Sequence, residues 1–191
     1  MSKLHLYSIF HGNLNYSSIS PKIYDKIIDT CYWPVLDLVK EFKFKSGIEF
    51  PLNTILQIEK IDPLFLEELK KLINENKFEI ICSGKEQVVF PLVPKDVNQI
   101  NLEIGKSEIE KKFDTKIKTA FINEQLFSSS LAKLYVESGF DNIITIWEWA
   151  SKISSLNNKI KFNPKIISTD LGNLNIIWNS YISYQKFQRY V

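Results

Sequence analysis

Short apolar runs and amphipathic stretches alternate along this chain, and polar or turn-forming residues stop each run. Leu4 to Phe10 reads as a first strand, ended by His11-Gly12-Asn13. A polar loop through Ser20-Pro21 leads into helical spacing from Ile23, with Ile27, Ile28 and Cys31 on one face; Pro34 should break or kink it before Val35 to Phe42. Gly47 to Phe50 is a short second strand. The clearest helix opens at Asp62-Pro63, with Asp62 as N-cap and Pro63 at the favoured first position. Leu66, Leu69 and Ile73 form its apolar stripe, and Glu67 pairs with Lys71 outside. Phe78 to Cys82 is a third strand, stopped by Ser83-Gly84. A loop holding Pro91 and Pro94 then enters a Lys/Glu-rich helix that ends near Phe113. Thr119 to Ile122 is a further strand. Ser128 to Ser130 cap a helix carrying Leu131, Leu134 and Tyr135, with Gly139 as its C′ residue, before a strand over Asn142 to Ile146. Residues 151–158 read as a loop.

Strand and helix alternate at least four times, which predicts a parallel sheet with crossover helices, either open or closed into a barrel. In both, functional side chains gather just after the carboxyl ends of strands. His11, Glu49, Ser83-Gly84, Asn123-Glu124 and Trp147-Glu148 all fall there. Solvation of strand ends alone does not explain such a recurrence. Glu124 is the sharpest case. A single acidic residue at a strand end is ordinarily solvated, but Phe121, Ile122, Leu126 and Phe127 bracket this one, predicting partial burial with partners or a perturbed pKa. His11 beside Gly12 and Asn13 is expected to face a ligand, whereas His5 lies inside its strand. Trp149, Trp178, Tyr181 and Tyr184 are read as core, and Trp147 is left between core and ligand platform.

Composition narrows the function. The 191 residues suit one domain spanning 1–191, and 45% hydrophobic content suits a folded globule. Net charge is only +2, and Arg189 is the only arginine, so bidentate phosphate or guanine recognition has little to work with and no nucleic-acid partner is expected. Cys31 and Cys82 stand far apart, without metal or disulfide spacing, and read as reduced, mostly buried thiols. The N-terminus lacks the pattern of a signal peptide, and no apolar stretch is long enough to cross a bilayer, so a cytoplasmic protein without membrane contact is expected. No phosphate loop, dinucleotide fingerprint or Gly-x-Ser-x-Gly elbow is present. With two histidines and two cysteines, a zinc site would depend on carboxylates; no metal and no cofactor is expected.

Three segments together resemble glycoside hydrolase family 57 in its N-terminal catalytic domain. The first strand running into FHGNLNY is similar to the family's opening motif, and His11 takes the position of its histidine. FEIICSGKEQVVFPLVP is similar to the second motif, Ser83 and Gly84 matching its turn. KTAFINEQLFSSSLAKLYVESGFDNII resembles the segment whose strand ends at the nucleophile, the place taken by Glu124. The opening motif reads His-Gly-Asn where His-Gln-Pro is commoner, and the second Ser-Gly where two glycines are usual. The resemblance implies an incomplete seven-stranded (β/α) barrel lacking its C-terminal part. It also implies retaining hydrolysis or transfer on α-linked glucans, with Glu124 as nucleophile. His11, Asn13, Ser83, Gly84, Asn123 and Trp147 would face the oligo- or polysaccharide. The family's acid/base Asp is expected beyond Val191, the chain being the N-terminal part of a longer protein; within it, Glu49, Glu86 and Glu148 are the alternatives. A carbohydrate-binding module or pseudoenzyme and a polysaccharide deacetylase-like enzyme are the rival readings.

Overall fold

The structure, a computed structural model, describes residues 7–16, 18–153 and 163–189. It divides into two compact units, Met1–Gln87 with Asn101–Ile117, and Val88–Ile100 with Lys118–Val191.

In the first unit, β1 (Ile9–His11), β2 (Ser46–Glu49) and β3 (Phe78–Ile81) form a parallel sheet in that order. All four residues of β2 are buried, as a central parallel strand covered on both faces requires. The register sets His11 beside Glu49 and Glu49 beside Ile81, so the carboxyl ends of the three strands align. The part of the first expected strand at 4–6, with His5, lies outside the described residues.

The crossover from β1 contains α1 (Tyr24–Ile27), a π-turn (Ile28–Tyr32) and α2 (Trp33–Phe42). That turn corrects one expectation: Cys31 is exposed, while Cys82 is buried. A π-turn adds a residue to its turn and shifts the helix phase, so the stripe drawn from Ile27 does not carry through to Cys31.

Between β2 and β3 run α3 (Leu52–Ile61), not foreseen from the sequence, and α4 (Pro63–Asn74). Asp62 caps α4, its Oδ1 accepting from the Phe65 amide at 3.3 Å and its Oδ2 from Trp33 Nε1 at 2.7 Å. Phe65, Leu66, Leu69 and Leu72 form the buried stripe. Lys71 pairs with Glu68 at 3.7 Å, rather than with Glu67. Phe65 also packs edge-on against Trp33 and Phe50, with ring centroids 5.4 and 6.2 Å away.

In the second unit the sheet order is β4 (Thr119–Phe121), β5 (Asn142–Ile146), β7 (Gly172–Asn179) and β6 (Lys165–Thr169). The first three are mutually parallel, but β6 is antiparallel to β7. Only Asp170 and Leu171 separate β6 from β7, and so short a connection joins antiparallel strands alone. The parallel sheets were expected; this hairpin was not. No ladder among the described residues joins the two sheets into a closed barrel.

Helix α5 (Lys95–Phe113) has residues in both units. In the second unit, α6 (Ser129–Glu137) stacks Tyr135 on Phe90, the rings 5.8 Å apart and 8° from parallel. Gly139 follows α6 with φ 75°, as expected of a C′ residue. After β5 comes α7 (Trp147–Ile153), and α8 (Tyr181–Gln188) follows β7. Residues 151–153 of the expected loop belong to α7, and 154–158 lie outside the described residues. Tyr181 and Tyr184 are exposed on α8, correcting their assignment to the core.

Candidate active site

The three strand ends of the first unit carry one bonded cluster. Glu49, the last residue of β2, is fully buried. Its Oε2 pairs with His11 Nδ1 at the end of β1, and its Oε1 accepts from Ser83 Oγ just past β3. The main chain is tied at the same place, the Gly12 amide donating to the Glu49 carbonyl at 3.1 Å. The His11 side chain keeps 36% of its surface exposed. Asn13 Nδ2 donates to Gln87 Oε1, while its own Oδ1 accepts from Thr54 Oγ1 at 3.3 Å and the Asn15 amide at 2.9 Å. Thus His11 and Ser83 meet on Glu49, and Asn13 is held by residues of α3 and the loop after β3.

Gly84 is buried at φ 109°, a backbone region side chains avoid. Gly105 of α5 lies against it so closely that an added Cβ would stand 2.3 Å from the Gly84 carbonyl carbon. The Lys85 amide donates to the Asn101 carbonyl at 2.9 Å, and the Glu86 amide to Asn101 Oδ1 at 2.8 Å. Helix α5 thereby shapes the turn that presents Ser83.

A cleft of about 150 Å³ lies beside His11, walled mainly by Phe10, Tyr32, Val35 and Phe50. That is below the roughly 300 Å³ at which small-molecule pockets begin, so it suits one edge of a ligand. Burial raises the Tyr32 phenol above its ordinary range, with Cys31 and the Glu49 carboxylate adding to the effect. Burial likewise pushes the Cys82 thiol up to about 12.

In the second unit, β4 ends at Phe121, and one further bond, Ile122 amide to Ile144 carbonyl at 3.3 Å, fastens the strand end. A tight turn over Asn123–Gln125 follows, in which Glu124 and Gln125 both take left-handed backbone, φ 52° and 55°. Gln125 pins the turn: its amide and its Nε2 both donate to the Ile122 carbonyl, at 3.0 and 3.2 Å. Asn123 is buried, and Glu124 is exposed, with no hydrogen bond or ion pair on its carboxylate among the described residues. This corrects the expectation of a partly buried carboxylate. Of the four apolar residues that bracket Glu124 only Ile122 is buried, with Phe121 and Phe127 half-buried and Leu126 exposed, and the left-handed step turns the carboxylate outward.

Trp147, 1% exposed, packs edge-on against Trp178 with centroids 5.1 Å apart. Its indole lies in the packed interior and offers no open face for a sugar to stack on. Glu148 caps α8, its oxygens accepting from Ser180 Oγ at 3.0 Å and the Tyr181 amide at 3.1 Å. Glu86 Oε1 accepts from Asn53. Both oxygens of Glu49 and both of Glu148 are therefore already engaged. No group of three His, Cys, Asp or Glu side chains is placed to hold a metal ion among the described residues. Nor is any helix among them long and apolar enough to cross a membrane.

Sequence reasoning noted Glu49 at a strand end but missed it as the hub of the cluster, and missed Gln87 altogether. The available signal was a carboxylate closing SGIE, a run otherwise suited to full burial.

Comparison with known proteins follows the same outline. A profile of Glycosyl hydrolase family 57 matches residues 8–160. An alpha-amylase of Pyrococcus furiosus is 25% identical over 125 residues, which are 64% of this chain and 19% of that protein. The crystal structure of 4-alpha-glucanotransferase from Thermococcus litoralis superposes with a TM-score of 0.84 at 18% identity, covering 97% of this chain and 28% of that one. A putative polysaccharide deacetylase from Mycobacterium smegmatis superposes with a TM-score of 0.62 at 14% identity, covering 95% and 62%. At such identities the structural likeness is one of fold. The chain spans about a fifth of the length of the amylase it matches.

Proposed function

The chain belongs to glycosyl hydrolase family 57, and from that membership we propose that it is a retaining catalytic module for α-linked glucans, hydrolase or glucanotransferase, with Glu124 as nucleophile. One observation supports this above the others. At the carboxyl end of a parallel strand, a carboxylate stands exposed, free of hydrogen bonds and ion pairs among the described residues, on a left-handed turn. A carboxylate held there for stability would be paired or capping, as Glu148 is. One left unengaged can attack an anomeric carbon. Two relatives, an alpha-amylase and a 4-alpha-glucanotransferase, supply the substrate class. His11 and Asn13, at the carboxyl end of β1, are the residues we assign to binding glycan hydroxyls. A retaining mechanism needs a second carboxyl group roughly 5–5.5 Å from the nucleophile to protonate the leaving oxygen. Both oxygens of Glu49 and of Glu148 are engaged in the fold, while Glu86 has one oxygen held by Asn53, so Glu49 and Glu148 are the weaker choices for that acid.

An activated substrate needs little help from an acid. With α-maltosyl fluoride, the Glu124 carboxylate attacks the anomeric carbon, the C–F bond breaks and fluoride leaves with the electron pair. Water then attacks the glycosyl ester, gives its proton to solvent and restores the carboxylate. Fluoride release by the 191-residue chain should fall by orders of magnitude in Glu124→Gln, and peptide mapping should find the glycosyl adduct on Glu124. Release unchanged in Glu124→Gln, or an adduct elsewhere, removes the nucleophile assignment. Maltoheptaose binding without any fluoride release from the unmodified chain would support the carbohydrate-binding reading instead.

A further inference from the structure

Glu49 is an expensive residue for its position. It closes a strand whose four residues are all buried, where an apolar side chain would serve the core without desolvating a charge. The cost is offset by two specific partners from neighbouring strands, His11 Nδ1 on one carboxylate oxygen and Ser83 Oγ on the other. An ionised carboxylate can only accept, and such a partner favours the imidazole form that carries its proton on Nδ1. Ser83 holds the second oxygen and prevents the carboxylate from turning away. His11 itself is partly exposed at the strand ends, beside the cleft walled by Phe10 and Tyr32.

We propose that Glu49 is a positioning residue that acts through His11, fixing the imidazole in its Nδ1–H form and aiming the opposite ring edge at a glycan hydroxyl. The inference rests on the reading of His11 as a glycan-binding residue. It adds a residue for which the family likeness gives no role: a buried anion that sets the tautomer and orientation of an exposed imidazole, as partners of functional histidines do. Ser83 then acts at one remove, through the carboxylate, and its part is to hold Glu49.

The chain has only two histidines, which makes the ring directly readable. With His5 replaced by Gln and the remaining histidine labelled with ¹⁵N, His11 should show the Nδ1–H signature. Glu49→Leu should release it toward the Nε2–H form. Glu49→Gln, which keeps an acceptor oxygen, should retain more of the original ring state and serves if the leucine variant fails to fold. Maltoheptaose affinity should fall about tenfold in His11→Ala, the worth of one hydrogen bond. It should fall comparably in Glu49→Leu, and no further when the two are combined. Additive losses, or a ring that stays Nδ1–H in Glu49→Leu, overturn the proposal. Unchanged maltoheptaose affinity in His11→Ala sinks the glycan-binding reading and the proposal with it, and the ring spectra would then show Glu49 as a purely structural anchor.

Discussion

Glu124 occupies a backbone conformation that a glutamate does nothing to favour. Left-handed geometry costs a non-glycine residue about 1–2 kcal/mol, and among the described residues its exposed carboxylate gains no hydrogen bond or ion pair in return. Glu124→Gly should therefore raise the melting temperature by about 2–8 °C for a chain of this size, while abolishing fluoride release. A fall in melting temperature would show that the turn is not strained. The thiols give a second residue-scale prediction. Cys31 should react with a thiol reagent in the native protein and Cys82 only on unfolding, since one is exposed and the other buried. Burial raises the folded Cys82 thiol from 9.0 to about 12, so the unfolded chain loses that proton first as pH rises. The resulting stability is fully present below about pH 9 and is lost progressively toward pH 12, with the raised Tyr7 and Tyr32 phenols acting in the same direction. Constant stability by denaturant titration between pH 8 and pH 11 would contradict this. The position of Glu124 was legible in the sequence because a strand visibly ends there. Its exposure was not, because two successive left-handed residues leave no mark in an apolar pattern.

Elements were legible where local chemistry fixed them. Asp62-Pro63 announced α4, and Ser83-Gly84 the end of β3. The β6–β7 hairpin escaped because KIIST and GNLNIIWN mix strand formers with asparagine and glycine that also suit loops, and because their pairing is non-local. The phase of the first crossover escaped because nothing in Ile28–Tyr32 signals a π-turn. Packing between elements was equally silent in the sequence, and Gly105 is the example. It sits within a Lys/Glu-rich helix, where an isolated glycine only weakens the helix locally. In the structure it lets the α5 backbone touch the Gly84 turn. Gly105→Ala should consequently destabilise the protein by about 1–3 kcal/mol through overpacking, despite the better helix propensity of alanine. It should also weaken maltoheptaose binding through Ser83. A melting temperature raised by Gly105→Ala would refute the close approach.

For the whole molecule, alternation of strand and helix was enough to anticipate parallel α/β sheets, and three motifs in the right order were enough to indicate the family. The site was legible only as positions, because a one-dimensional pattern shows which residues end strands but not which side chains bond across them. The His11–Glu49–Ser83 cluster illustrates this. Its members lie 38 and 34 residues apart and belong to three strand ends whose ladders close only after two crossovers have packed. Loop-closure entropy must be overcome twice before the second bond can form. The cluster is therefore a late event in the life of the chain. An intermediate with its helices formed and its strands unpaired would contain all three residues and none of the site, so the signal of one imidazole marks the moment at which this unit becomes native.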